Sequence, residues 1–162
     1  ALRRVVVNFD QSGGPVWCVA PTPQPGRFAA ACGDGAVRIF QVRADRPGAE
    51  GDDADAARRP ESAPQVAPTV RPGEPAPRTG SLVATLSGHD GPVYGLGFSE
   101  DGKRLATAGW DQHVVVWNLE QGSEALRFHA HEEGVWEVQF SPCCGFLATS
   151  GQDGKTRFWN AE

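Results

Sequence analysis

Apolar residues in this chain come in short runs with a period near two, and polar turn residues punctuate them. Between Gly91 and Asn118 three such runs occur: Val93–Phe98, Arg104–Ala108 and Val114–Trp117. They are separated by Ser99–Lys103 and Gly109–Gln112. Short alternating runs bounded by Gly, Asp and Ser predict β-strands joined by tight turns. Gly102, which ends a Ser-Glu-Asp-Gly stretch, can take the positive φ that a tight reversal demands. A further amphipathic run precedes each unit, at Arg4–Phe9, Leu82–Leu86 and Ala125–Phe128. No helical periodicity competes with this pattern, so the expected fold class is all-β.

The pattern repeats. Shifted by 42 residues, Gly91–Asn118 lies without a gap on Glu133–Asn160: Val93 falls on Val135, Phe98 on Phe140, Leu105 on Leu147, Asp111 on Asp153 and Trp117 on Trp159. Shifted by 77 the other way, Pro92, Val93, Asp111 and Trp117 meet Pro15, Val16, Asp34 and Phe40. The excess of 35 over the 42-residue period marks an insertion between the first and second units. A period near 42 that ends in Trp-Asp-like pairs is the signature of a propeller blade. The organisation expected is residues 1–42, an outer strand of a preceding blade plus the first repeat; 43–80, an insertion; 81–122, the second repeat; and 123–162, a third repeat whose blade is incomplete. By propeller logic the amphipathic run before each repeat is the outer strand of the preceding blade. Propellers close with about four to eight blades, so three consecutive four-stranded antiparallel blades form part of a ring.

Residues 43–80 hold seven Pro, no aromatic residue, and six Arg against seven Asp plus Glu. Such a composition buries too little apolar surface to offset the entropy of ordering it, which predicts a flexible loop inserted between two blades. The chain contains no Met and starts at Ala1, as expected of an excerpt from a longer protein. Alone it should be poorly stable, because its open sheet edges invite association. No run approaches the roughly 18 apolar residues of a membrane span.

Composition narrows the chemistry. Net charge is −5 with no basic cluster on an expected face, which argues against direct nucleic-acid binding. Cys18, Cys32, Cys143 and Cys144 show neither a disulfide framework nor a zinc spacing, and buried reduced thiols are the simpler account. His129 and His131 with Cys143 and Cys144 suggest zinc weakly, against the vicinal cysteines' place in a turn. Gly154-Lys155-Thr156 imitates the end of a phosphate-binding loop, but that motif needs Gly at position 149, which is Thr, and a following helix. No cofactor or metal is expected.

The residues Gly88-His89, Thr107, Asp111 and Trp117-Asn118, and again Ala130-His131, Thr149, Asp153 and Trp159-Asn160, resemble the WD40 family. That resemblance implies a buried hydrogen-bonded tetrad in each blade: His89, Thr107, Asp111, Trp117 in the second repeat and His131, Thr149, Asp153, Trp159 in the third. Physically, a buried Asp needs donors, and His, a hydroxyl and an indole N–H need partners. The first repeat keeps only Asp34, with Ser12, Ala30 and Phe40 at the other positions. A His-Thr-Asp trio could also suggest acid–base catalysis, but its recurrence after 42 residues favours a strut, since an active site is usually single. The resemblance further places Trp110, before the turn Asp111, on the top surface near the central channel, where Gly33 and Gln152 stand in the other repeats. Trp17, Tyr94 and Trp136 begin the first strand near the same rim. Interfaces favour such anchors, so a partner site is expected from Trp110, Tyr94 and Trp136. Packing between neighbouring blades is the alternative for Tyr94 and Trp136.

A finer resemblance rests on LSGHDGPVYGLGF (86–98) and AHEEGVWEVQFSP (130–142). These runs are similar to the WD40 propeller of the TBP-associated factor that is subunit five of TFIID. Low-complexity insertions after a weak blade are found in that family too. Ser150-Gly151-Gln152-Asp153 and Gly109-Trp110-Asp111 depart from its pattern. The resemblance implies a non-catalytic nuclear scaffold in a multi-subunit complex, docking histone-fold factors and TBP while other subunits contact promoter DNA. Alternatives are a WD40 adaptor in signalling or ubiquitin ligation, cytoplasmic included, or a propeller appended to an enzyme elsewhere in the chain.

Overall fold

The computed structural model describes residues 13–42, 80–142 and 145–161. They form eleven strands in three antiparallel sheets. The first blade comprises β1 (Val16–Pro21), β2 (Arg27–Cys32), β3 (Ala36–Val42) and β4 (Gly80–Ser87). The second comprises β5 (Val93–Phe98), β6 (Arg104–Gly109), β7 (His113–Asn118) and β8 (Ser123–His129). The third has β9 (Val135–Phe140), β10 (Phe146–Gly151) and β11 (Thr156–Asn160). Sheet order follows chain order in each, so every blade is a simple meander.

β4 pairs with β3 and β8 with β7, so the runs before the second and third repeats close the first and second blades. The third sheet therefore has three strands among the described residues. The expected outer strand Arg4–Phe9, together with Ser12, Cys143 and Cys144, lies outside those residues. One reading needs correction. The insertion joins β3 to β4, within the first blade rather than between two blades, and Val42 and Gly80 at its two ends are register partners. Gly80, assigned to the insertion on sequence, already belongs to β4.

The core lies between blades rather than within one. Leu105, Thr107, Val115 and Trp117 point from the second blade toward Ala29, Ala31, Val37 and Ile39 of the first. Ala106, Ala108, Val114 and Val116 point the opposite way, toward Val135, Val138 and Leu147 of the third. Alternation along a strand sends successive side chains to opposite faces, and a blade covered on both sides needs apolar residues on both. The repeat spacing makes this face-to-face match recur from one blade to the next.

The blades approach most closely along β5 and β9. A Cβ on Gly95 would stand 2.8 Å from the Cα of Glu137, and one on Gly97 would stand 2.5 Å from the carbonyl oxygen of Val138. Bare backbone at these two positions is what brings the first strands of the second and third blades together. At the far side, Arg104 spans the same pair of blades: its Nη1 donates to the Ala161 carbonyl at 3.0 Å, and its guanidinium lies 5.2 Å from the Phe140 ring.

Candidate functional site

In the second blade the four tetrad side chains form one chain of hydrogen bonds. Trp117 Nε1–H donates to Thr107 Oγ1 at 3.0 Å, and Thr107 Oγ1 stands 2.7 Å from His89 Nε2. His89 Nδ1 lies 3.0 and 2.9 Å from the two oxygens of Asp111. A carboxylate only accepts, so His89 carries its proton on Nδ1, and Nε2 accepts from the Thr107 hydroxyl. Asp111 also accepts from the amides of Asp90 (3.0 Å) and His113 (3.2 Å). Burial pushes its carboxyl up. The hydrogen bond from His89, with those from the two backbone amides, outweighs that and holds it below the ordinary 3.8.

The third blade repeats the arrangement. Trp159 Nε1–H donates to Thr149 Oγ1 at 2.9 Å, Thr149 Oγ1 is 2.9 Å from His131 Nε2, and His131 Nδ1 is 2.8 Å from Asp153 Oδ1. Arg157 adds a further donor, 2.7 Å from Asp153 Oδ2. Burial raises the Asp153 carboxyl, and Arg157 and His131 together bring it far below the usual carboxylate range. In the first blade Arg38, which aligns with Arg157, grips Asp34 with both terminal nitrogens at 3.0 and 2.6 Å. A guanidinium thus holds the Asp of the blade that lacks the His, as Arg157 does beside His131 in the third.

Sequence reasoning missed one part of this constellation. Gly109 and Gly151 sit against the rings of His89 and His131, where a Cβ would collide with the imidazole. The aligned residue of the first blade is Cys32, and that blade has no His at the aligned Ser12. A glycine ending the second strand therefore goes with His, and a side chain there goes without it. This signal was present in the aligned repeats.

At the same end of the blades the expected partner residues come together. Tyr94 and Trp136 have ring centroids 4.9 Å apart, Tyr94 and Trp110 6.2 Å, and Trp110 and Trp136 6.3 Å. Trp17 of the first blade joins them, edge-on to Tyr94 at 5.3 Å. The site thus draws on all three blades, and Trp17 extends the expected trio. Trp17, Trp110 and Trp136 remain 53%, 47% and 43% exposed. The rings pack across blades, the alternative weighed for Tyr94 and Trp136, and the three indoles keep about half of their surface exposed. Turns hold them there. Trp110 N donates to the Pro92 carbonyl at 2.9 Å, and Gln152 N to that of Gly134 at 2.8 Å.

The family model described as WD domain, G-beta repeat matches residues 3–41, 80–118 and 122–160. The chain belongs to the WD40 repeat family. Among its relatives, periodic tryptophan protein 2 of Arabidopsis thaliana is 36% identical over 83 residues, covering 51% of this chain and 9% of that protein. FIZZY-RELATED 1 of Arabidopsis thaliana is 38% identical over 81 residues, 48% of this chain and 17% of that protein. Protein HIR1 of Yarrowia lipolytica is 29% identical over 169 residues, 93% of this chain and 15% of that protein. The chain thus spans less than a fifth of the length of each. Relatives with such different names share the WD40 repeat itself, and function does not follow from that architecture alone.

Among the described residues the buried polar side chains, His89, Ser99, Thr107, His131 and Thr149, all have hydrogen-bond partners. Among the described residues no group of three or more His, Cys, Asp or Glu could hold a metal ion. His131, weighed for zinc, is turned to Thr149 and Asp153. Gly154 sits in the β10–β11 turn, its amide donating to the Gly151 carbonyl at 3.2 Å, with no helix following.

Proposed function

We propose that this chain is part of a non-catalytic WD40 scaffold that docks other proteins on the aromatic surface formed by Trp17, Tyr94, Trp110 and Trp136. The observation that carries this reading is the convergence of these four rings from three blades while three indoles stay about half exposed. Large apolar rings left on a surface mark interaction sites, and Trp and Tyr dominate the residues that anchor interfaces. The tetrads support a structural role for the His-Thr-Asp trios. In both, each imidazole nitrogen is engaged within its own blade, which leaves neither ring free as a general base.

The finer reading is a nuclear, TFIID-like transcription subunit that meets histone-fold factors and TBP, with DNA contacted by other subunits. Its support is the sequence resemblance of residues 86–98 and 130–142, together with the negative net charge. The test is co-purification with the tagged full-length protein from nuclear and cytoplasmic extracts, in wild type and in a Trp110→Ala, Trp136→Ala variant. Loss of a set of partners in the variant is expected, with TBP and histone-fold factors among them. An unchanged set would overturn the aromatic docking surface. A cullin adaptor or signalling proteins, lost in the variant without TBP, would overturn the TFIID-like reading and leave the scaffold.

A further inference from the structure

We infer that the aromatic surface takes an arginine-bearing basic segment of its partner, a guanidinium stacking on an outward indole face while carboxylates around the rings match its charge. This rests on the docking surface proposed above and names the chemistry that would fill it.

The first reason is shape. Tyr94, Trp110 and Trp136 stand with centroids 4.9, 6.2 and 6.3 Å apart. A cation is attracted to a ring face from within about 6 Å of its centroid, and here the neighbouring rings already fill that distance. No cation fits between them as in a cage, so contact is made from outside. One side of Trp110 is closed: a Cβ on Gly134 would stand 2.7 Å from its Cε3. The indole is nevertheless 47% exposed. An exposed indole suits a flat cation. A guanidinium is planar, weakly hydrated and stacks on aromatic rings, whereas an ammonium is a compact and strongly hydrated point charge.

The second reason is charge. Asp90 precedes Gly91, against which the Trp110 side chain packs, and Glu132 and Glu133 precede Gly134, which closes one side of that ring. All three carboxylates are exposed. Among the described residues none of them is in an ion pair. The arginines nearby are committed. Arg38 holds Asp34, Arg157 holds Asp153, and Arg127 bonds the Gly88 carbonyl and Glu124. Among the described residues Lys155 is exposed in the turns at this end. An aromatic surface with an acidic rim attracts cationic segments by steering as well as by contact.

The test uses the full-length protein and three labelled Gly-Ser peptides that carry several arginines, the same number of lysines, or the same number of citrullines. Fluorescence anisotropy is read across a salt series. The arginine peptide should bind, the lysine peptide roughly three- to fivefold more weakly, and the neutral citrulline peptide not at all. Glu132→Gln with Glu133→Gln should weaken the arginine peptide and flatten its salt dependence. Trp110→Phe should retain more of the binding than Trp110→Ala, which separates loss of the ring from loss of the fold. Equal binding of arginine and citrulline peptides, or no binding of any, overturns the inference. If partners are then still lost from the Trp110→Ala, Trp136→Ala variant in the extract experiment, the docking surface stands without it. If none is lost there, both readings fall.

Discussion

Thr107 accepts from Trp117 and faces His89 Nε2 within a fully buried hydroxyl environment. Thr107→Val keeps the volume but strands an indole N–H and an imidazole nitrogen, which costs about 1–3 kcal/mol for each group left unsatisfied. Denaturant unfolding of the full-length protein should show that loss. An Asp34→Ala change, which breaks a partly exposed ion pair and the hydrogen bond from the Ala36 amide, should cost less, about 1 kcal/mol. The carboxylates give a pH dependence with a definite sign. Asp111 and Asp153 both titrate below the ordinary 3.8 in the fold, so their contribution is present above that value and fades as pH falls through the lower folded ones. Melting temperature should hold down to about pH 4 and then drop, with a shallower acid limb in Asp111→Asn. Gln112 offers a test in the other direction. Its φ is +70°, where Gly35 and Gly154 occupy the aligned positions of the other blades at +81° and +72°. Left-handed backbone costs a residue with a Cβ roughly 1–2 kcal/mol. Gln112→Gly should therefore raise the melting temperature, and no change or a fall would show that its contact with His129 outweighs the strain.

At the scale of elements, β5 and β9 are held together by the absence of side chains at Gly95 and Gly97. Gly95→Ala places a methyl against the backbone of β9, a contact that only a shift of the blades relieves. A cost of about 1–3 kcal/mol is expected. The same shift separates Tyr94 from Trp136, so partner capture should weaken along with stability. A variant that lost stability but captured partners at wild-type affinity would show that the ring geometry does not matter. Strand positions and turns were legible in the chain: Val93–Phe98 was placed to the residue, and β6 and β7 to within one. The tetrads were implied by the resemblance to the WD40 family, and the repeat set them out twice. Gly109 and Gly151 were not recognised, since what makes them necessary is an imidazole from a loop some twenty residues earlier in the chain.

For the whole molecule, two faces stand open. On the first blade Val16, Val19 and Phe28, at 55%, 60% and 40% exposure, border a groove with Ala30, Cys32 and Phe40; on the third, Phe158 is 76% exposed. By the repeat these are the faces that adjoining blades cover elsewhere. The 162-residue chain in isolation should associate at micromolar concentration in sedimentation experiments, and Phe158→Ser should reduce that association. A monodisperse monomer in both cases would contradict the expectation. The insertion bears on the whole differently. Its ends are register partners in one hairpin, and a short turn can connect such a pair. Replacing residues 43–79 by Asn-Gly should therefore leave the first blade folded, with partner capture through the aromatic surface unchanged.

By itself the sequence determined the all-β class, the 42-residue period and the strands of the described residues. All of these are local alternation or are repeated, so that one copy interprets the next. The tetrads followed from the resemblance to the WD40 family. Tertiary structure decided what depends on distances between blades. It placed the insertion inside a hairpin, because strand pairing is not recorded in chain order alone. It also gathered Trp17 with Tyr94, Trp110 and Trp136. Residues up to 119 positions apart meet there only because successive blades fan their first strands around one axis, and no periodicity in the chain expresses that angle.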